Sequence, residues 1–285
     1  MGVVVSVNGK ITRPKSGAVS PGGQGFLYGF GLFETMPAYT GRIYRLDKHL
    51  ERLVNSAATL GIERVNGGLL EKTCSGAAVA AGEDIARIRL TVARRESGDE
   101  EPDIVVIARR YDPPAPSVYR QGCRAIISPF RRSSFSPLVG HKTTSRMECV
   151  MARDKALKEG YDEALFINEK GNLTEGSISN LFMVASDGIL VTPPLAEGLL
   201  PGIMRQMVID SALELGIAVS QTCVPTDALT GFSSAFLTNS MFGILPLSGI
   251  NIRGTEHKLE SSRTIIRLIE TWREATGQGP IPGLA

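Results

Sequence analysis

Two ionisable residues between positions 140 and 182 could act together on one ligand. Lys142 lies between a loop and a helix pattern, and its neighbours Gly140, Thr143, Thr144 and Ser145 are small or hydroxylic. These neighbours would leave room for a flat ligand, and desolvation would lower the pKa of the amine and make it a nucleophile for carbonyl chemistry. Most lysines are solvated surface charges, so this interpretation depends on the neighbouring residues.

Glu175 lies in the strand-like segment LTEGSISNLF, whose apolar residues predict burial. A buried carboxylate can be purely structural, accepting hydrogen bonds from backbone amides. If it faced a heteroaromatic nitrogen, it would instead keep that nitrogen protonated, as an electron-accepting cofactor requires. The residue and its surroundings leave these two interpretations about equally open.

Two further segments could bind a phosphate group. The run GLLPGIM predicts a helix N-terminus at which the amides of Ile203 and Met204 would face an anion. The run LTNSM adds the hydroxyl and the amide of Ser240. Gly and Pro before a helix more often mark only a turn, and the helical spacing of Arg52 in HLERL favours a solvated charge.

Composition excludes several classes of function. The chain has 285 residues, of which 42% are hydrophobic and 21% charged, as in a folded globular protein with two domains or one large one. Its 31 basic and 29 acidic residues are too balanced for a nucleic-acid or membrane surface, so a small-molecule partner is expected. The four cysteines have no CxxC spacing, and there is no signal-peptide pattern or membrane-spanning apolar run, which predicts a cytoplasmic protein. The three histidines lack metal-ligand spacing, so no metal site is predicted.

Hydrophobic periodicity predicts an α+β unit in the first part of the chain. The Gly-rich run of residues 21–31 is predicted to be a loop, and Asp47 is predicted to cap a helix that Gly61 ends. The other predicted elements are a hairpin over residues 3–12, strands over 43–46, 86–92 and 104–108, and a helix over 68–81.

The proline-rich run DPPAPS, residues 112–117, is the predicted boundary between two domains. The resulting division is an N-terminal α/β domain at 1–112, a linker at 113–120 and a C-terminal domain at 121–285 that carries Lys142. Beyond the linker, short strands predominate and their spacing suits a small barrel. The predicted elements there include a strand over 124–128, a loop over 129–140, helices over 147–159 and 201–215, and strands over 164–167, 179–184 and 189–192.

Several long motifs together resemble the class IV aminotransferases, the fold-type IV enzymes of pyridoxal 5′-phosphate. This family includes branched-chain and D-amino-acid aminotransferases, (R)-amine transaminases and 4-amino-4-deoxychorismate lyase. It implies an α/β (α+β) two-domain fold, an N-terminal α/β sandwich and a C-terminal pseudo-barrel with the cofactor in the cleft between them. It also implies a homodimer whose partner loop completes the pocket. The motifs are YGFGLFET (28–35), LDKHLERL (46–53), HKTTSR (141–146), GYDEALFINEKGNLTEGSISNLF (160–182), TPPLAEGLLPGIMRQ (192–206) and FLTNSMFGILPL (236–247).

The resemblance implies a role for each matching residue. Lys142 matches the catalytic Schiff-base lysine, and Glu175 matches the glutamate that pairs with the pyridine nitrogen. Arg52 matches a phosphate-binding arginine, which reverses the interpretation from its spacing. The remaining matches to the phosphate site are Ile203, Met204 and Ser240.

Two departures bear on the substrate. Met147 stands five positions after Lys142, where branched-chain aminotransferases carry a tyrosine, and Phe30 stands where the family commonly has an aspartate. The runs KTTSRMECV, PGIMRQ and FLTNSMFGILPL are more similar to aminodeoxychorismate lyase. The resemblance therefore implies a lyase of folate biosynthesis that releases pyruvate and p-aminobenzoate.

Other activities stay open from the sequence. They are a branched-chain, D-amino-acid or (R)-amine transaminase with a keto-acid acceptor, and a cofactor-binding protein that has lost turnover. Any of the substrates with a carboxylate would need a cation or amide donors, although an arginine in such a position is more often a surface charge or part of an ordinary ion pair. The candidates are Arg89, Arg94, Arg131 and Arg146.

Overall fold

The structure is a computed structural model that describes residues 3–12, 19–97 and 99–284. The contacts between Cα atoms divide the chain into two compact units. Unit 1 comprises Met1–Pro113 and His141–Arg146, and unit 2 comprises Pro114–Gly140 and Met147–Ala285.

Unit 1 is built on a six-stranded antiparallel sheet in the order β2-β1-β6-β5-β3-β4. Buried and half-buried residues alternate along β5, so Ile88 and Leu90 join a core shared with the helices while Arg87 and Arg89 face the other way. The strands are β1 (Val4–Val7), β2 (Lys10–Thr12), β3 (Gly31–Tyr39), β4 (Arg42–Ile43), β5 (Ile85–Ala93) and β6 (Asp103–Arg110), and the helices are α1 (Gln24–Tyr28), α2 (Leu46–Leu60) and α3 (Gly67–Ala81).

Four local predictions for unit 1 differ from the structure. The strand predicted over residues 43–46 is one of them, because only Ile43 lies in a strand and α2 already begins at Leu46. Strand β3 was not predicted, because nearly every residue of it is buried and it has no polar alternation. Asp47 does not cap α2: the helix begins at Leu46 after Arg45, whose backbone is left-handed, and Asp47 lies in the first turn. The run of residues 21–31 contains the short helix α1 instead of being all loop.

Unit 2 contains a nine-stranded sheet that closes on itself. Strand β9 pairs with both β8 and β10, so β10, β13, β14, β7, β8 and β9 form a six-stranded barrel. The strands are β7 (Cys123–Arg132), β8 (Glu163–Asn168), β9 (Leu173–Gly176), β10 (Asn180–Val184), β11 (Leu190–Thr192), β12 (Val219–Gln221), β13 (Ser234–Asn239), β14 (Gly243–Ile252) and β15 (Thr255–Lys258), and the helices are α4 (Pro116–Gln121), α5 (Met147–Lys158), α6 (Ile203–Glu214) and α7 (Arg263–Ala275).

The barrel confirms the predicted mixed α and β character of the second part of the chain. Two local predictions differ from the structure, because α4 occupies most of the predicted linker and β7 continues to Arg132 into the predicted loop. Among the described helices, none has the length and apolar character needed to cross a membrane.

The division of the chain at residues 112 and 121 stays a prediction. Lys142, which was predicted to lie in the C-terminal domain, belongs instead to unit 1. The segment His141–Arg146 groups with unit 1 rather than with the C-terminal part. The reason lies in its backbone: Thr143 forms a β-bridge with Leu32, and the N–H of Phe33 donates to the carbonyl of Lys142 at 2.9 Å.

Candidate active site

The segment that carries Lys142 is fixed against the start of β3 in unit 1. The amide of Thr144 donates to the carbonyl of Gly31 at 2.8 Å, and its hydroxyl donates to the carbonyl of Gly29 at 2.6 Å. Gly29 has a left-handed backbone, with a φ of 67°, and ends α1. The motif YGFGLFET therefore supplies the backbone to which the motif HKTTSR binds.

The ring of Phe33 contacts two cations within unit 1. The Nζ of Lys142 lies 4.8 Å from the ring centroid, and the Cζ of Arg89 lies 3.8 Å from it. Phe33 itself is 8% exposed. The amine and the guanidinium therefore share one aromatic neighbour, in the range where an aromatic ring attracts a cation.

Arg52 is held by a buried acid instead of lying on a solvated helix face. Its Nε and Nη2 donate to the two carboxylate oxygens of Glu34 at 2.8 and 2.6 Å, and the Nδ1 of His49 lies 2.7 Å from one of them. Glu34 is 0% exposed and the side chain of Arg52 is 10% exposed. The sequence interpretation of Arg52 as solvated was therefore wrong, and its guanidinium is fixed in orientation by two parallel hydrogen bonds.

The electrostatics of this cluster favour an ionised acid beside a neutral imidazole. Burial opposes ionisation of Glu34, but Arg52 and His49 outweigh it and lower the pKa of the carboxyl to about 2. Burial also lowers the pKa of His49, although the hydrogen bond to Glu34 acts in the opposite direction. The cluster thus keeps one full negative charge next to Arg52.

Glu175 lies at the position where the barrel of unit 2 closes. It is 4% exposed, and its Cα partner across the closing pair is Asn180. One carboxylate oxygen accepts from the amide of Leu200 at 3.0 Å and from the Nδ2 of Asn180 at 3.2 Å. The other oxygen accepts from the Nη1 of Arg132, which is 7% exposed.

A second buried carboxylate holds the turn between β9 and β10. Glu163, which is 2% exposed, accepts from the hydroxyls of Ser177 and Ser179 and from the amide of Ser177 at 3.0 Å. The side chain of Arg153 lies 3.9 Å from it. These contacts fix the GSISN turn and with it the place of Glu175.

The first amides of α6 are available at a helix start that no side chain caps. The N-cap residue is Gly202, and a Cβ there would overlap the Oδ1 of Asn180. Met204 is 2% exposed and Ile203 is half-buried. The uncapped amides of a twelve-residue helix suit an anion.

Ser240 follows β13 in a turn that Asn239 organises. The Oδ1 of Asn239 accepts from the amides of Met241 and Phe242 at 2.9 and 3.0 Å, and its Nδ2 donates to the carbonyl of Ile178 at 3.1 Å. This last contact joins the turn to the loop that follows Glu175. Unit 2 therefore brings together Glu175, the start of α6 and the turn of Ser240.

The four arginines proposed for substrate carboxylates have different surroundings. Arg89 contacts Phe33, whereas Arg94 lies 4.9 Å from the ring of Phe30 and its Nε is buried without a hydrogen-bond partner among the described residues. Arg131 is exposed and donates to the carbonyl of Asn168 at 3.2 Å, and Arg146 is half-buried near Arg89.

Several supporting residues were missed from the sequence. His49 had a usable signal, because it lies one helical turn from Arg52 and the two could share one acid, but this spacing does not identify Glu34 as that acid. Arg132 had none, since the run FRRSSFS has the composition of a polar loop. No cluster of three or more metal-ligating side chains occurs in the described ranges of the chain.

The donor set fits a cofactor with one aldehyde, one ring nitrogen and one phosphate. An amine, a buried carboxylate, an uncapped helix start, a hydroxyl and a fixed guanidinium are the groups such a molecule requires. They are divided between the units, with Lys142 and Arg52 in unit 1 and Glu175, Ile203, Met204 and Ser240 in unit 2.

Comparison with known proteins finds similar sequences and folds over most of the chain. Residues 31–250 match the family described as Amino-transferase class IV. A putative branched-chain-amino-acid aminotransferase of Methanocaldococcus jannaschii is 32% identical over 268 residues, which cover 89% of this chain and 90% of that protein.

Two solved structures share the fold over most of the chain. A branched-chain amino acid aminotransferase of T.th., solved with pyridoxamine 5′-phosphate, is 26% identical, with a TM-score of 0.88 over 97% of this chain and 95% of that one. The 4-amino-4-deoxychorismate lyase of Pseudomonas aeruginosa is 27% identical, with a TM-score of 0.81 over 95% of this chain and 98% of that one. These matches confirm the predicted fold-type IV architecture and pyridoxal phosphate as the cofactor. The chain belongs to the class IV aminotransferase family of pyridoxal-phosphate enzymes.

Proposed function

We propose that this enzyme is a 4-amino-4-deoxychorismate lyase, which converts its substrate to p-aminobenzoate and pyruvate without an acceptor keto acid. In this proposal Lys142 is the catalytic residue and holds the cofactor covalently through its ε-amine. Glu175 holds the ring nitrogen. The phosphate is bound by Arg52, by the amides of Ile203 and Met204, and by Ser240.

The observation that carries the proposal is a row of arginines on β5 and β6 that have no acidic partner in the described part of the chain. Arg87 and Arg89 lie on the face of the sheet opposite the core, and Arg109 is the cross-strand neighbour of Arg87. Among the described residues, no carboxylate lies within ion-pair distance of any of the three. Three cations without a counter-charge on one sheet face favour a ligand with more than one negative charge.

The pKa values of Arg87 and Arg89 are both lowered, as expected for arginines that lie close together without a negative charge beside them. Burial lowers the pKa of Arg89, and the positive charges of Arg87 and Arg146 lower it further. Burial also lowers the pKa of Arg87, with a contribution from Arg109. The arginines repel one another in the ligand-free protein. An anionic ligand would remove this repulsion, and the energy released would add to the binding free energy.

Aminodeoxychorismate carries two carboxylates on and beside a ring, which matches several cations better than an aliphatic side chain would. A branched-chain amino acid has one carboxylate and would place apolar carbon against arginines. Met147, where branched-chain aminotransferases have tyrosine, is 77% exposed at the start of α5 and brings no hydroxyl. Both observations favour the lyase.

The cofactor supplies an electron sink for the pair released when a carbon next to the amine loses its proton. The role of Lys142 is to take that proton from the ring carbon that carries the amine. Loss of the neighbouring enolpyruvyl ether then makes the ring aromatic, and the enolpyruvate takes up a proton and leaves as pyruvate. Glu175 keeps the ring nitrogen protonated while this happens.

The deciding experiment supplies enzymatically made aminodeoxychorismate and no keto acid. Pyruvate and p-aminobenzoate in equal amounts support the lyase, whereas glutamate formed from amino acids plus 2-oxoglutarate identifies a transaminase. Arg89→Met should lower kcat/KM roughly 10- to 100-fold, because a hydrogen bond to a charged group contributes about 1.5–3 kcal/mol. The matched control is Arg110→Met, since Arg110 lies on β6 but already pairs with Asp112.

A second candidate is transamination of dicarboxylic substrates. The same arginines suit glutamate or 2-oxoglutarate, and the family comprises transaminases as well as the lyase. In that case Lys142 would move the same proton to the cofactor, and turnover would require an acceptor keto acid.

A homodimer in the cytoplasm is also proposed. The exposed apolar residues Val150, Met151 and Leu157 recur on one side of α5, and such a surface is typical of subunit contacts. Light scattering of the holoenzyme tests the dimer, and a mass of about 31 kDa, that of one chain, would contradict it.

A further inference from the structure

Arg132 is fixed from several directions inside unit 2. Its three guanidinium nitrogens donate to Glu175, to Glu148 at 3.1 Å and to the Sγ of Cys149 at 3.1 Å. The guanidinium also lies 4.8 Å from the ring centroid of Phe166. Because each guanidinium nitrogen already donates a hydrogen bond, the side chain cannot turn toward a ligand, and its positive charge stays beside Glu175.

An irregularity in the barrel places this arginine inside. The pairing of β7 with β8 shifts register between Ile127 and Arg131, and after the shift Arg132 is buried while Arg131 is exposed. Such bulges re-aim side chains next to functional sites. The bulge therefore decides which of two adjacent arginines meets Glu175.

We propose that Arg132 is a positioning residue that acts through Glu175 and keeps a proton on the ring nitrogen of pyridoxal phosphate. The inference rests on the proposed contact between Glu175 and that nitrogen. A guanidinium hydrogen-bonded to a carboxylate holds a negative charge at a fixed place, and this charge beside the ring nitrogen favours the protonated form of the nitrogen. The proton shared by the carboxylate and the ring nitrogen then stays on the nitrogen, where the electron sink needs it.

The other charges around Glu175 support the same direction. Burial opposes the charge of Arg132, but Glu175 and the half-exposed Glu148 outweigh it, so the pKa of the guanidinium is raised and it remains a cation. Arg205 on α6 is 3% exposed and also interacts electrostatically with Glu175. Two buried cations thus act on one carboxylate, and of these two, among the contacts described, only Arg132 donates a hydrogen bond to it.

The test uses holoenzyme loaded with pyridoxal phosphate labelled with 15N in the ring, because the 15N chemical shift reports whether that nitrogen is protonated. The wild-type signal should stay at the protonated position from pH 6 to 9. In Arg132→Gln it should move toward the neutral position. Arg132→Lys, which keeps a cation, should restore it at least in part, and Arg131→Gln is the matched control that should leave it unchanged.

A second readout separates this role from simple support of the fold. An analogue of the cofactor with CH in place of the ring nitrogen should bind Arg132→Gln as it binds the wild type. Pyridoxal phosphate should bind the variant at least about tenfold less tightly, the factor expected when one hydrogen bond between charged groups is lost. Equal losses for both molecules would mean that Arg132 only supports the structure, and would overturn the proposal.

The outcomes separate the role of Arg132 from the proposed contact between Glu175 and the ring nitrogen. If Glu175→Gln leaves the 15N signal at the protonated position, the proposed contact of Glu175 itself fails. If Glu175→Gln moves the signal but Arg132→Gln does not, only the role of Arg132 fails. Should Arg132→Gln not fold, a wild-type signal that moves to the neutral position between pH 6 and 9 would still refute the proposal.

Discussion

The Glu34, His49 and Arg52 cluster predicts a defined dependence of stability on pH. The pKa of the Glu34 carboxyl is lowered to about 2 from an ordinary 4.5. One pKa unit corresponds to about 1.4 kcal/mol, so the ionised carboxylate contributes roughly 3 kcal/mol to the free energy of unfolding at neutral pH. Because the folded protein binds this proton more weakly than the unfolded chain does, the contribution is complete above about pH 5–6 and is lost as the pH falls toward 2.

The variant Glu34→Gln isolates this contribution. Glutamine has the shape of a protonated glutamate, so the variant should be about 3 kcal/mol less stable than the wild type at pH 7. At pH 3 the gap should shrink to roughly 1–1.5 kcal/mol, because most of the folded-state advantage of the carboxylate is then gone. Burial lowers the pKa of His49 and the hydrogen bond to Glu34 opposes this, so loss of the carboxylate also changes the titration of the histidine, and the gap at pH 3 includes that change.

Urea unfolding followed by far-UV circular dichroism at pH 7, 5, 4 and 3 measures the difference. The control is Glu51→Gln, because Glu51 lies on α2 beside Arg52 but is exposed and forms an ion pair with the exposed Lys48. Its effect should stay within about 1 kcal/mol at every pH. A gap between Glu34→Gln and the wild type that is the same at pH 7 and pH 3 would refute the reasoning, since it would mean that the carboxyl acts by shape alone.

Three further predictions concern the cofactor and the barrel. Lys142→Ala should keep its circular dichroism spectrum but lose the covalent label that borohydride leaves on the wild-type peptide of residue 142; label found on another lysine would contradict the assignment. Gly202→Ala should bind pyridoxal phosphate at least about tenfold more weakly, because a Cβ would displace Asn180 at the start of α6. The control is Gly76→Ala, where a Cβ meets nothing within 4 Å. This control should bind the cofactor normally and be roughly 0.5–1 kcal/mol more stable to unfolding. Glu163→Gln should destabilise the protein to urea by about 1–3 kcal/mol, because it would present an amide donor to the hydroxyls and amides that now donate to the carboxylate, and an unchanged urea midpoint would argue against this role.

The residues of the candidate site could be proposed from the sequence because the chemistry depends on residue type and order. Lys142 and Glu175 could be singled out from their neighbours, and the helix that begins at Ile203 was predicted within two residues of its start. Strand β3 could not be predicted, because a strand buried on both faces has the same apolar run as a buried helix.

Side-chain partners were harder to predict than positions. Nothing in the sequence distinguishes Arg132 from Arg131, since a register shift in the barrel decides which of them is buried. Likewise the orientation of Arg52 follows from Glu34 on β3, a residue far from it along the chain and on a strand that was not predicted. Tertiary pairing, which spacing along one element does not encode, accounts for both cases.

The closed barrel also has a consequence for how the chain folds during synthesis. Strands β8, β9 and β10 follow one another, so Glu175 and Asn180 are only 5 residues apart, whereas the pairing of β7 with β14 joins regions such as Cys123 and Ser248, which are 125 residues apart. Local pairings form early and distant ones late, so the carboxylate is set in place while β7 still has an unpaired edge. This edge of β7 therefore stays open until β14 has left the ribosome, and during that interval it can pair with another chain and lead to aggregation.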